Sequence, residues 1–163
     1  MKEFRMKLHH KTAVTGTYQH GFSLIELLIA VVIIGILSSI ALPSYSNYVI
    51  RSKIPDATSA LANKRVQMEQ YFQDNRRYTA TSGGVTCGIP NTDPDTTTSS
   101  HFTFTCVATN TTFTLSATGK SAMEGFSYTI NASNARTSDI VLPAKAGWIA
   151  ANTCWITNTG GKC

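Results

Sequence analysis

The stretch Gly21–Pro43, GFSLIELLIAVVIIGILSSIALP, decides how the rest of the chain is read. From Phe22 to Leu42 the only charged residue is Glu26. A helix over this run, rising ~1.5 Å per residue, is about 31 Å long, close to the thickness of a bilayer's hydrocarbon core. A secretory signal peptide would carry a shorter apolar run ending in small residues at its cleavage site. Here the run is long, and the small residue at its junction, Gly21, comes before it. A carboxylate near the start of a membrane segment costs a few kcal/mol, so Glu26 reads as a functional residue awaiting a partner. The plainer reading is a carboxylate snorkelling to the headgroups.

Gly21-Phe22-Ser23-Leu24-Ile25-Glu26-Leu27, with the apolar run behind it, resembles the prepilin processing motif of type IV pilins. The resemblance is strong from Gly21 to Tyr78 and looser from there to the C-terminus. In that family a membrane-embedded aspartyl peptidase cuts after the glycine on the cytoplasmic face and methylates the new amine. The resemblance therefore implies cleavage between Gly21 and Phe22, N-methylation of Phe22, and Glu26 as the fifth residue of the mature chain. It gives Glu26 a role in fibre assembly, engaging the terminal amine of a neighbouring subunit.

The leader, residues 1–21, has no apolar periodicity. Lys2, Arg5, Lys7 and Lys11 against Glu3 give it +3 of the chain's +5, on the side that the positive-inside rule assigns to the cytoplasm. The mature chain keeps only +2, which weakens any nucleic-acid argument from the pI of 9.1. Met6 is a second candidate start beside Met1, and Gln19-His20 stand where pilin leaders usually carry basic residues. With 163 residues the chain holds one domain plus the appended helix. The domains follow as leader 1–21, transmembrane and assembly half of the helix 22–53, and globular domain 54–163.

Pro43 removes one backbone donor and crowds the carbonyl of Ser39, so a bend is expected there. Pilins commonly carry a proline at this distance from the cleavage site. Pro55 followed by Asp56 resembles a fresh helical first turn, with a second bend or short break before it. Ile54, Ala57, Leu61, Met68 and Phe72 recur at helical spacing, interrupted by Arg65, while Lys64, Glu69 and Asp74 point elsewhere. The helix is expected to fade near Asn75–Tyr78.

Residues 79–100, rich in Thr, Ser, Gly, Asp and Pro, read as a long loop. Asp93 and Asp95 flank Pro94 without a calcium-loop pattern, so a solvated turn is the reading. Alternating strands follow: Phe102, Phe104 and Cys106 on one face, then Phe113, Leu115 and Ala117, then Phe126, Tyr128 and Ile130. Residues 135–140 add a weaker edge strand. The opposite face is hydroxyl-rich, which suits an antiparallel meander with one dry side. The fold class is α+β: a pilin fold, with a long N-terminal helix packed on a small antiparallel sheet and a disulfide-closed C-terminal loop.

Cys87, Cys106, Cys154 and Cys163 suit an oxidising compartment and allow three connectivities. Zinc is the competitor, but no Cys-x-x-Cys pair is present. The pilin resemblance implies Cys154 with Cys163, which leaves Cys87 with Cys106.

No nucleophile elbow, phosphate loop or paired-acid motif is present, so the chain is not read as an enzyme and no metal or cofactor is assigned. His101 begins a strand beside no evident partner and reads as a surface residue. Trp148, Trp155 and Tyr78 could form a stacking platform, although packing explains aromatics more often. Asn110-Thr111-Thr112 and Asn131-Ala132-Ser133 fit the glycosylation acceptor pattern. Lys64, Arg65, Arg76 and Arg77 could contact DNA phosphates, or form a solvated face.

The resemblance implies a structural subunit of a type IV pilus, incorporated in or priming a fibre for adhesion, twitching motility or DNA uptake. The ending with Cys154-Trp155 and Gly161-Lys162-Cys163 is similar to that of a common class of minor pilins. A pseudopilin of a type II secretion system and a DNA-receptor pilin are the alternatives. The implied partners are other pilin subunits through the N-terminal helix, prepilin peptidase, the inner-membrane assembly machinery and, before assembly, the membrane; nucleic acid is left open. The implied location is the inner membrane as a single-pass protein, then the extracellular fibre.

Overall fold

The structure is a computed structural model describing residues 21–163 except 85 and 91, with backbone alone at 42–44. The leader's first twenty residues lie outside the described residues. The chain divides into two compact units at the Ile40–Ala41 junction.

In the first unit, helix α1 (Leu24–Asn75) opens at Ser23. The backbone N–H of Glu26 donates to Ser23 Oγ at 3.2 Å, and that of Leu27 donates to the Ser23 carbonyl at 3.2 Å. Ser23 thus caps the helix and places Glu26 in its first turn, where the positive end of the dipole favours a carboxylate. α1 is long and apolar enough to cross a membrane, with a mean hydropathy of 2.7 over its most apolar window. None of that window is buried: Leu24, Ile25, Leu28, Ile33 and Leu37 all face outward.

α1 continues unbroken through Pro43 and Pro55. The short break allowed before Pro55 is absent, and Pro55 sits inside the helix and not in a new first turn. A proline removes one ladder bond, but Ile54 and Ala57, 1% and 0% exposed, pack into the core on either side and hold the backbone helical. At the other end, Arg76 takes a left-handed conformation (φ 58°), and its N–H donates to the Phe72 carbonyl at 2.8 Å. That is a C-terminal cap of the kind glycine usually makes.

In the second unit four antiparallel strands follow in sequence order: β1 (Phe102–Ala108), β2 (Phe113–Gly119), β3 (Phe126–Asn131) and β4 (Arg136–Ile140). Phe104 pairs with Ala117, Ala117 with Tyr128, and Tyr128 with Ser138, so one register row crosses all four strands on the dry face. Phe102, Phe104, Phe113, Leu115, Phe126, Tyr128 and Ile130 form a core with Ile54, Ala57, Leu61 and Met68 of α1. The turn expected over 119–125 contains a short 3-10 helix, Ser121–Met123, whose Met123 is buried.

Both sheet edges are partly covered. Asp95 exchanges two backbone hydrogen bonds with Phe104 of β1 (2.8 and 2.9 Å), and Ala151 does the same with Ser138 of β4 (2.9 and 2.6 Å). Cys87–Cys106 fastens the long loop to β1, and Cys154–Cys163 closes the C-terminal loop, with Cα atoms 6.0 Å apart in each bridge. Covered edges remove the unpaired N–H and C=O rows that invite strand addition.

Candidate functional site

Two sets of residues carry chemistry, one in each unit. At the N-terminal end, Gly21 and Phe22 lie exposed ahead of the first helical turn, Phe22 at 85%. Glu26 is exposed and stands as the one acidic residue of that turn. The sequence Ser23-x-x-Glu26 is itself a capping signature, so the residue read as functional also stands where helices start well. That second role was legible in the sequence and is additional to the one read from the motif.

In the second unit the unexpected residue is Lys64. The spacing Ile54, Ala57, Leu61, Met68 leaves one turn of the core-facing stripe empty, and Lys64 fills it. It therefore does not point to solvent. Its Nζ lies 3.0 Å from Asp95 Oδ2, with the two side chains 7% and 1% exposed, and 5.5 Å from the ring centre of Phe104. Asp95 is correspondingly not part of a solvated turn, whereas Asp93 is exposed. Burial by itself would raise the Asp95 carboxyl. Donors prevail: the hydroxyl of Thr98, the N–H and hydroxyl of Thr97 at 2.9 Å, the N–H of Thr98 at 3.1 Å, and the Lys64 ammonium hold it well below the usual carboxylate range.

His101 also has a partner. Its Nδ1 is 2.7 Å from Asp56 Oδ2, and Ser99 Oγ donates to the same oxygen at 3.4 Å. Forty-five residues separate His101 from Asp56, so no local pattern signals the pair. Of these groups Asp56, Lys64, Thr98 and Ser99 line a cleft of about 590 Å³ between the 56–67 stretch of α1 and the loop residues Pro90 and 98–100.

The aromatic candidates Tyr78, Trp148 and Trp155 resolve into packing. Tyr78 stacks on Phe72 with ring centres 4.5 Å apart and donates to Glu69 Oε2 at 3.1 Å; burial first, and then Glu69, push its phenol up. Trp148 is buried edge-on to Phe126. Trp155 donates to the Thr129 carbonyl at 2.7 Å, with Arg136 above its ring. Both acceptor-pattern asparagines use Oδ1 internally: Asn110 accepts from Thr79 Oγ1, and Asn131 from Ser133 Oγ and the Ala135 N–H. Of the four clustered cations, Lys64 is buried, Arg65 lies 3.8 Å from Glu69, and Arg77 donates to the Thr79 carbonyl at 3.0 Å. Arg76 alone among the four is exposed without a described side-chain contact.

An apolar helix with one acidic residue in its first turn, continuing into an α+β domain closed by a C-terminal disulfide, is the build of a type IV pilin. The chain belongs to the family described as type IV minor pilin ComP, DNA uptake sequence receptor, whose model matches residues 43–139. The prokaryotic N-terminal methylation motif matches residues 16–42.

Among curated relatives, fimbrial protein EcpC of Eikenella corrodens is 45% identical over 56 residues, 34% of this chain and 37% of that protein. A probable minor fimbrial protein of Dichelobacter nodosus is 47% identical over 55 residues, 34% and 35% of the two chains. Type IV major pilin protein PilE1 of Neisseria gonorrhoeae is 35% identical over 72 residues, 43% and 44% of the two. The chain thus spans less than half the length of each of these relatives. The methylation motif and the apolar helix fit a membrane-anchored pilin.

Proposed function

We propose that this chain is a minor structural subunit of a type IV pilus, held in the inner membrane by α1 and then incorporated in, or priming, the extracellular fibre. The observation that carries the reading is Glu26: one carboxylate in the first turn of an otherwise exposed apolar helix, directly behind Gly21-Phe22. Helices in lipid gain little from burying apolar surface against each other, because acyl chains are as apolar as Leu27 or Ile33. A charge needing neutralisation supplies direction and register. Cleavage by prepilin peptidase after Gly21 creates a complementary charge, the amine of Phe22, which is then methylated. Pairing that amine with Glu26 of a neighbouring subunit removes two uncompensated charges at once.

On this reading residues 1–21 are removed, 22–53 span the membrane and assemble, and 54–163 face outward, with α1 bending at Pro43 and Pro55. The partners are other pilin subunits, through α1, and the inner-membrane assembly machinery. The role is structural and not catalytic. Intact-mass measurement of membrane-fraction protein from the native host should give a mature chain starting at Phe22 with a methylated amine. Glu26→Val should leave cleavage and domain folding intact while lowering the subunit's amount in sheared fibres at least tenfold. A retained leader, or wild-type incorporation of Glu26→Val, would overturn the reading.

DNA uptake is the second reading, supported by the family match over residues 43–139. Its contacts would come from exposed cations such as Arg76, Arg136 and Lys162 and not from Lys64, which is buried. A mobility shift of duplex DNA that weakens steeply with salt tests it, since log K falls by about 0.9 per phosphate contact for each tenfold rise in salt. A salt-independent shift, or none at low salt, would remove it.

A further inference from the structure

We infer that the cleft between α1 and the loop residues Pro90 and 98–100 is a binding site for a short neutral saccharide. The inference goes beyond the pilus reading and does not rest on it. The cleft's volume, about 590 Å³, falls in the range of small-molecule sites. One wall is a helical row, Asp56, Asn63 and Gln67, spaced by seven and then four residues so that all three share a face of α1. The opposite wall brings Ser99 and Ser100 from the loop.

The charge balance selects the ligand class. Lys64, at the floor, is paired with Asp95 at 3.0 Å. Lys120, the other cation nearby, donates to the carbonyls of Thr96 (3.2 Å) and Ser99 (2.9 Å). Asp56 contributes a carboxylate, so a phosphate or another anion would meet like charge and two cations already engaged. A cation would meet a carboxylate already bound to His101 at 2.7 Å, with amides and hydroxyls around it.

What the cleft does offer is matched donors and acceptors. Asn63 and Gln67 are exposed and make no side-chain hydrogen bond among the described residues; each carboxamide both donates and accepts. Asp56 Oδ2 is occupied by His101 and Ser99, while its second carboxylate oxygen has no partner among the described residues and can accept a ligand hydroxyl. A sugar hydroxyl likewise donates and accepts, and a ring carries several of them at neighbouring positions. Ala60 and Pro90 give the cleft a small apolar surface, suited to the C–H face of a pyranose. The row from Asp56 to Gln67 extends about 16 Å along the helix axis, longer than one ring, which points to an oligosaccharide.

The test is saturation-transfer NMR on the full chain in a zwitterionic detergent that contains no sugar. The probes are the methyl glycosides of glucose, galactose and N-acetylglucosamine, together with chitobiose, N-acetylneuraminate and a 12-base-pair DNA duplex. At least one neutral saccharide should receive saturation, and its apparent affinity should fall at least tenfold in Asn63→Ala/Gln67→Ala, whose thermal melt should match wild type. Asn63→Gln, which keeps the carboxamide, should retain measurable transfer. No transfer to any neutral saccharide, transfer unaffected by the double substitution, or response only to N-acetylneuraminate would overturn the inference. A DNA signal abolished by the same double substitution, without saccharide binding, would reassign the cleft to DNA.

Discussion

Removing the ammonium from beneath the cleft should destabilise the domain far more than removing an exposed lysine. Lys64 and Asp95 are 3.0 Å apart, and neither side chain is more than 7% exposed. At an effective dielectric near 20, two unit charges at that distance attract by about 5.5 kcal/mol before desolvation is counted. Most of that attraction offsets the desolvation of both groups, so the pair's net contribution is small while the cost of orphaning one member is large. Lys64→Met keeps an unbranched stem without the ammonium but leaves a buried carboxylate with its Thr97 and Thr98 donors. Because those four bonds remain, about 2–4 kcal/mol should be lost. Asp95→Asn leaves a buried ammonium beside a weak acceptor and turns acceptor positions into donors against Thr97 and Thr98, so the loss should be larger, about 3–5 kcal/mol. The double substitution should cost less than the sum of the two by about 1–3 kcal/mol. The assay is a near-ultraviolet circular dichroism melt of the full chain in micelles, with disulfides intact. For a domain of this size about 3–5 °C accompanies each kcal/mol, so Lys64→Met should lower Tm by roughly 6–20 °C. Single substitutions within ~1 kcal/mol of wild type, or strict additivity, would refute the reasoning.

Asp95 also predicts an acid response. Its folded pKa is depressed, so its stabilising contribution is complete above the unfolded value of about 3.9 and is lost as pH falls through the lower folded value. Wild type should lose stability steadily below about pH 4, and Asp95→Asn should show a shallower slope there; equal slopes in urea titrations at pH 2–4 would contradict this. Ser138 anchors the C-terminal segment, since its Oγ donates to the Cys154 carbonyl (3.0 Å) and accepts from the Ile156 N–H (2.9 Å). Ser138→Ala should cost about 1–3 kcal/mol and speed hydrogen exchange at Ile156, and unchanged exchange would refute the anchor. Gly119 admits no side chain, because a Cβ there would collide with the Met123 carbonyl oxygen. Gly119→Ala should destabilise by about 1–3 kcal/mol, whereas Gly147→Ala, where a Cβ meets open space, should cost only the strain of its positive φ; equal melts of the Gly119 variant and wild type would refute the collision.

The sequence by itself determined the parts of this protein that are governed by period and local contact. The apolar run behind Gly21-Phe22, the one carboxylate within it, the 3-4 stripe of α1 and the two-residue alternation of Phe102–Cys106, Phe113–Ala117 and Phe126–Ile130 each reflect backbone geometry repeating every few residues. What only the tertiary structure decided involves residues far apart in the chain. Lys64 occupies a core-facing turn because Asp95, thirty-one residues later, comes back beside β1 to neutralise it. His101 finds Asp56, and Pro55 stays helical because Ile54 and Ala57 are held against the sheet. The pattern read from the sequence puts the interruption of the stripe at Arg65 and turns Lys64 away from the core, because a buried charge is stable only next to its counter-charge. Where that counter-charge arrives is fixed by the path of the loop and the Cys87–Cys106 bridge, which no local pattern encodes.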